Sequence, residues 1–354
     1  EQRRASSSQQ RTTHTARTAI VSGDSLSLRD MVSASVRATA SLGRQSIRLW
    51  SGLPQGRHHG TLADVLRAQD PKALALLSPP RGVRWTYADV GGRVSRLATA
   101  LARHGYRAGD VVATDLASVP ENFLLQLACS HLGAAVVTLK SPANLASLRK
   151  ELSIRGSVSS GAGSFLGGED FDLAEISVEP SSGRLSFQEA CEAVAGTSPP
   201  PNAGSGDSPL GFYGNAKAVT NAQALSAGGA AKERLGMTSK DIVLVSITLN
   251  HIFGIGSAVS AALQSGAAVV LPEASGIVGC GDPSQRAQVT RGCLEFEKCS
   301  LLFADTHTLK ALQAADPAPL ERLRGGVCKV GSGTAFLGET TQYVGVALEL
   351  MGKA

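Results

Sequence analysis

Aromatic side chains are scarce in this chain: nine Phe, four Tyr and two Trp make up 4% of 354 residues. With so few rings, the core has to be assembled from Val, Leu, Ile and Ala. No apolar run approaches the ~20 residues needed to cross a bilayer as a helix, so the sequence reads as a soluble or peripheral protein. The six cysteines are Cys129, Cys191, Cys280, Cys293, Cys299 and Cys328, and none forms a Cys-x-x-Cys pair. Cys293 and Cys299 have no nearby His to complete a zinc set. The expectation is free, buried thiols in a reducing compartment, with no metal. Lysine is missing altogether from residues 1–60, which hold nine Arg against three acids, a balance of +6. The remaining residues carry 25 basic and 26 acidic side chains, a balance of −1. The basic character therefore belongs to an arm, and a pI near 9 says little about nucleic acid when one tail supplies it.

What is present falls into blocks. Residues 1–60 form a basic Arg/Ser-rich arm with the composition of a mitochondrial or plastid transit segment or a docking extension. Such an arm orders only when a partner surface pins it. From residue 61 the chain alternates helix and strand signals. A helix is expected over Thr61–Gln69 and a strand over Ala73–Leu77. Val90, Val94, Leu97, Ala98 and Leu101 share one face of a second helix, with Gly105 at its stop. Strand 110–116, helix Pro120–Leu132 and strand 134–140 follow, and 141–195 is weakly patterned. The Pro/Gly/Ser-rich stretch 196–210 reads as a linker. Beyond it, helices Ala222–Leu235, Ile255–Gln264, Gln285–Lys298 and Gly338–Leu348 alternate with strands at 241–249, 267–273, 300–306 and 326–332. Alternation of this kind implies parallel βαβ units. The expected architecture is an α/β body of two facing doubly wound subdomains, 61–195 and 211–354, separated by the linker.

Four segments give the pattern a family likeness. WTYADVGGRVSRLATALARHGYRAGDVVA (85–113), PENFLLQLACSHLGAAVVTL (120–139), LGMTSKDIVLVSITLNHIFGIGSAVSAALQSGAAVVLPE (235–273) and LRGGVCKVGSG (323–333) occur in this order. Each resembles a segment of the acyl-CoA synthetases and related AMP-forming adenylate ligases, and the likeness covers roughly 60–354. It implies the N-terminal domain of that superfamily, without the C-terminal lid domain that carries a catalytic Lys. In the family a Thr/Ser/Gly-rich loop cradles the triphosphate of ATP. The corresponding stretch here, GFYGNAKAVTNAQAL (211–225), keeps Tyr213 at the loop's entry and Lys217 at its exit, with only Gly214, Asn215 and Ala216 between. The hydroxyl-bearing hexapeptide is missing. The family's Tyr-Gly-x-Thr-Glu motif and ribose-binding Asp have no counterpart either.

These departures point to a ligase-like chain that has lost its chemistry. No catalytic residue is expected. A vestigial nucleotide or acyl site would comprise Tyr213, Lys217, His251, Gly254, Ser332 and Thr334. For His251 the competing reading is a helix-start residue kept for packing, for Lys217 a solvated surface side chain, and for Ser332 and Thr334 plain turn chemistry. The lone pair His58 and His59 suggests no metal, and Asp305 with His307 lacks a nucleophile for a triad. The functional expectation is a structural or accessory subunit of a large mitochondrial complex, on the matrix side, with a respiratory-chain complex of the inner membrane as first host. Its partners would be protein subunits contacted partly through residues 1–60. The alternatives are an active acyl-CoA synthetase using ATP, Mg and CoA, or a protein of the mitochondrial ribosome whose arm follows RNA. No cofactor is expected unless the enzyme alternative holds.

Overall fold

Residues at odd and even positions of the central strands belong to different cores, and this alternation builds the molecule. In a computed structural model, the structure describes residues 60–161, 163–166, 169, 171–179, 184–273, 282–315, 320, 322–330 and 333–337. All of these lie in one unit that spans Gly52–Ala354. Residues 1–59, Ser332 and the expected helix Gly338–Leu348 fall outside the described residues.

The first elements are α1 (Leu62–Arg67), β1 (Leu74–Ser78), β2 (Val83–Thr86), α2 (Tyr87–Arg103), β3 (Val111–Thr114), α3 (Pro120–Leu132) and β4 (Ala135–Thr138). The weakly patterned stretch holds α4 (Pro142–Leu148), β5 (Ile154–Ser159), β6 (Ile176–Ser177), β7 (Leu185–Ser186) and α5 (Phe187–Glu192). Then come β8 (Pro209–Tyr213), β9 (Ala218–Thr220), α6 (Asn221–Leu235) and β10 (Ile242–Ser246). A π-helical segment (Phe253–Val259) runs into α7 (Ser260–Ser265), followed by β11 (Ala268–Val270), α8 (Pro283–Phe296), β12 (Leu301–Asp305), α9 (Thr306–Ala315), β13 (Gly325–Val330) and β14 (Gly333–Phe336).

Local sequence explains where the helices begin. Thr61, Thr86 and Thr220 each accept a hydrogen bond from the backbone N–H three residues on, and Asp64, Asp89 and Gln223 reach back to the threonine N–H. These capping boxes satisfy donors that a helix leaves open. Pro at the first position starts α3, α4 and α8, where its missing N–H costs nothing.

The strands form two seven-stranded sheets, ordered β7-β6-β5-β3-β4-β8-β9 and β14-β13-β12-β10-β11-β1-β2. Both are parallel except for antiparallel edge pairs: β8–β9 in the first, and β1–β2 and β13–β14 in the second. Val112, Val136 and Val158 of the first sheet and Leu76, Val243, Val245 and Phe303 of the second share one core. Leu97, Phe123, Leu225 and Val259 from the intervening helices complete it. The opposite faces bury Leu244, Leu302 and Ala304 with Leu294 and Leu309 in one outer core, and Ala113, Ala135 and Val137 with Leu145 in another. Strands buried on both faces are apolar at nearly every position, as parallel sheets require.

Sheet membership departs from the expected division at 196–210. β1 and β2, from the N-terminal half, complete the second sheet, with Leu76 and Leu77 in parallel register with Val269 and Val270. β8, which begins at the end of the expected linker, pairs with β4, and β9 pairs with β8 to complete the first sheet. The two sheets therefore exchange edge strands. The expected helix at Ile255 begins instead as a π-helix, and the turn reading of Thr334 is corrected, because Thr334 lies on β14 opposite Lys329.

Candidate functional site

A buried polar network joins the C-terminal ends of β4 and β8 in one sheet to the segment that follows β10 in the other. Its hub lies on α3. Asn122 and Gln126 sit four residues apart, hence on one helix face, and both are fully buried. Asn122 Nδ2 donates to the Leu116 carbonyl (3.0 Å), the Ala117 carbonyl (2.9 Å) and Asn250 Oδ1 (2.9 Å). Gln126 Nε2 donates to Asn122 Oδ1 (3.0 Å) and to the Leu249 carbonyl (3.0 Å). The Tyr213 hydroxyl donates to Gln126 Oε1 (2.7 Å). Asn250 Nδ2 returns to the Leu116 carbonyl (2.7 Å), and Thr138 Oγ1 donates to the Asn250 carbonyl (3.3 Å). Fully satisfied buried networks of this sort rigidify and specify a unique packing.

Tyr213 joins this network directly, and His251 and Gly254 follow its Asn250 along the chain. Burial drives the Tyr213 phenol well above its usual range, so it stays a protonated donor to Gln126. His251 stands at the entry to the π-helix. Its Nδ1 accepts the Phe253 N–H (3.0 Å), and its carbonyl accepts the Gly254 N–H (2.9 Å). With Nδ1 as acceptor, the neutral ring carries its proton on Nε2. Burial, with the positive charges of Lys329 and Lys140, holds the imidazole down at about 4. The ring is therefore uncharged at neutral pH. A Cβ on Gly254 would stand 2.3 Å from the Thr248 carbonyl oxygen, so only glycine fits where the π-helix turns back on its own lead-in.

Lys217 and Thr334 are placed differently. Lys217 is exposed, and its N–H donates to Asn215 Oδ1 (2.9 Å) inside the turn that joins β8 to β9. That turn comprises only Gly214–Lys217, because Gly211 already pairs with Val219 and Phe212 with Ala218. Thr334 is half-buried across from Lys329, whose amine burial pushes below its usual range. Asp305 accepts the Thr308 N–H (2.7 Å), the geometry of a helix cap at the start of α9.

The sequence reading missed Asn122, Gln126, Asn250, Lys140 and Lys329. A signal existed for the first two: amides at helical spacing, one just before and one inside the otherwise apolar run 123–129. Lys140 sits just beyond β4 and Lys329 near the end of β13, and only the three-dimensional arrangement makes them neighbours of His251.

Comparison with known proteins agrees with this picture. The AMP-binding enzyme family model matches residues 64–152. A 4-chlorobenzoate–CoA ligase from an Arthrobacter species is 37% identical over 71 residues, which cover 20% of this chain and 14% of that ligase. Among solved structures, a protein described as a long-chain-fatty-acid CoA ligase from Rhodopseudomonas palustris superposes with a TM-score of 0.64 at 24% identity. That superposition covers 78% of this chain and 71% of the other. The O-succinylbenzoate coenzyme A synthetase of Bacillus subtilis gives 0.62 at 18% identity, covering 77% and 54%. The described body has the N-terminal-domain fold of the AMP-forming ligase superfamily, and residues 64–152 carry the sequence signature of its AMP-binding enzymes. The sequence matches span a small part of the curated relatives' length.

Proposed function

We propose that this protein is a ligase-like subunit that does not adenylate carboxylic acids and serves as a structural or accessory part of a larger mitochondrial assembly. The observation that carries this reading is the β8–β9 hairpin. A triphosphate has to exchange its hydration for many well-aimed donors. The four-residue turn Gly214–Lys217 offers a handful of backbone N–H groups, and that of Lys217 is already taken by the Asn215 carboxamide. The neutral ring of His251 and the engaged hydroxyl of Tyr213 add no compensating charge. ATP–pyrophosphate exchange with a panel of fatty and aromatic acids tests the reading. Exchange above background would overturn it in favour of a working synthetase that uses ATP, Mg and CoA.

The choice of host rests on the Arg-rich residues 1–60, whose composition suits import and docking in the mitochondrial matrix. A respiratory-chain complex at the matrix face of the inner membrane is the first choice. Among the described residues no helix is long and apolar enough to cross a membrane. Crosslinking of the full chain in isolated mitochondria reads out the partner directly. Crosslinks from 1–60 to protein subunits support this host, and crosslinks to ribosomal RNA would replace it with the mitochondrial ribosome.

A further inference from the structure

The stretch read as a linker is tied down at its centre, and the knot is a histidine. Pro200–Gly204 crosses the C-terminal end of α3. There the Ala203 N–H (3.0 Å) and the Gly204 N–H (3.2 Å) both donate to the His131 carbonyl. The approach is close: a Cβ on Gly204 would stand 2.1 Å from the Ser130 carbonyl oxygen. His131 is 5% exposed and uses both ring nitrogens, with Nε2 2.9 Å from the Pro200 carbonyl and Nδ1 2.8 Å from Arg67 Nη1. A carbonyl can only accept and a guanidinium can only donate. The ring must therefore carry its proton on Nε2 and a bare lone pair on Nδ1. No other tautomer fits, and the doubly protonated ring does not fit either.

We propose that His131 is a pH-sensitive latch that holds the 200–204 strap closed when neutral and releases it when protonated. The charged groups facing the ring are Arg67 and Asp64, both on α1, and the strap itself brings none between 197 and 206. A second proton on Nδ1 would point N–H at N–H across the 2.8 Å contact with Arg67, so that bond breaks and two cations are left side by side. Arg67 is held in place by Asp64 Oδ1 (2.6 Å), which also accepts from Asn202 Nδ2 (2.8 Å). Displacing Arg67 therefore loosens the strap at a second point. Burial disfavours the charged ring most; the Pro200 carbonyl pulls the other way, and the Arg67 charge then adds to the burial against the weaker pull of Asp64.

The folded-state pKa is thus lowered from the ordinary 6.5. A histidine lowered on folding adds stability that is complete above its unfolded pKa and is lost as pH falls toward the folded one. The latch is closed at neutral and alkaline pH and opens on acidification. It lies where Thr61 and α1 lead into the body, and where the strap feeds β8, so its release would loosen both connections.

Hydrogen exchange of the full chain at pH 7.5 and 5.0, corrected for intrinsic rates, tests the latch. Peptides covering 197–206 are expected to exchange faster at the lower pH, by up to about tenfold per unit between the ordinary 6.5 and the folded-state pKa, while the α3 core amides around Leu125 stay protected. His131→Gln keeps a donor and an acceptor but cannot titrate, and should remove the pH dependence. Arg67→Ala removes the opposing cation and should weaken that dependence even if His131→Gln fails to fold. Equal corrected exchange at both pH values in the unaltered protein, or unchanged pH dependence in either variant, would overturn the proposal.

Discussion

Removing one amide from the network between the sheets has a cost that can be worked out atom by atom. Asn122→Ala deletes an Nδ2 that serves three acceptors and an Oδ1 that serves one donor. Most of these partners keep another bond. The Leu116 carbonyl retains Asn250 Nδ2 (2.7 Å), the Ala117 carbonyl retains the Val119 N–H (2.9 Å), and Gln126 Nε2 retains the Leu249 carbonyl (3.0 Å). Asn250 Oδ1 loses the Asn122 donor on which its place in the network depends. One stranded buried acceptor costs about 1–3 kcal/mol, and the net loss of the remaining bonds adds about 1 kcal/mol. The expected destabilisation is about 2–4 kcal/mol, read as a lower urea midpoint at unchanged slope. Tyr213→Phe strands only Gln126 Oε1 and leaves no cavity, so about 1–2 kcal/mol is expected. Both substitutions act on Gln126, and the double variant should depart from additivity by at least ~0.5 kcal/mol. A cost below ~0.5 kcal/mol for Asn122→Ala would refute the view that this network fastens one sheet to the other.

Further outcomes can be stated together. The His251 ring is expected to titrate near 4 by NMR, and Lys329→Met should raise that value by removing a positive neighbour; a ring titrating near 6.5 would contradict the burial described. Because this pKa is depressed, its contribution to stability is complete above 6.5 and lost as pH falls toward 4. Burial pushes the Cys129 and Cys328 thiols up to about 12 and that of Cys191 to about 11, so all three should resist iodoacetamide at pH 8 until the chain is unfolded. Rapid native labelling of Cys129 would contradict its placement. Gly228→Ala sets two effects against each other: helix propensity favours Ala by about 1 kcal/mol, but the new Cβ would stand 2.4 Å from Ser260 Oγ and 2.7 Å from the Ala261 nitrogen. Backbone cannot yield as a side chain can, so a lower Tm is expected, and a higher one would mean that α6 and α7 are not packed this closely.

Much of the fold could be read from residues alone. Pro120 and the apolar run after it gave α3 its bounds, and the shared face of Val90, Val94, Leu97, Ala98 and Leu101 marked α2. The strand cores at 111–114, 135–138, 242–246 and 301–305 stood out as short apolar runs between helices. Sheet membership did not, because the partner of β1 is chosen by packing far along the chain and nothing near Leu76 names Val269. The π-helix was hidden because Gly254 answers to the Thr248 carbonyl rather than to a helical period. β14 was lost behind Gly331 and Gly333, residues that more often mark turns. At the candidate site, the likeness to the ligases singled out Tyr213, His251 and Gly254. The amides of the network that Tyr213 joins are ordinary residues made special only by burial.

The exchange of edge strands has a consequence for how such a chain comes into being. β1 and β2 leave the ribosome long before β10 and β11 exist, so Leu76 must wait for Val269 with one apolar edge uncovered. Late contacts between distant segments slow folding and lengthen the exposure of unpaired strands. During synthesis the early half is thus an unfinished structure that a chaperone would hold. Cutting the gene at the natural-looking break near residue 200 would yield two fragments, each short of strands that the other carries. Mixed together, they should recover a fold that neither reaches alone.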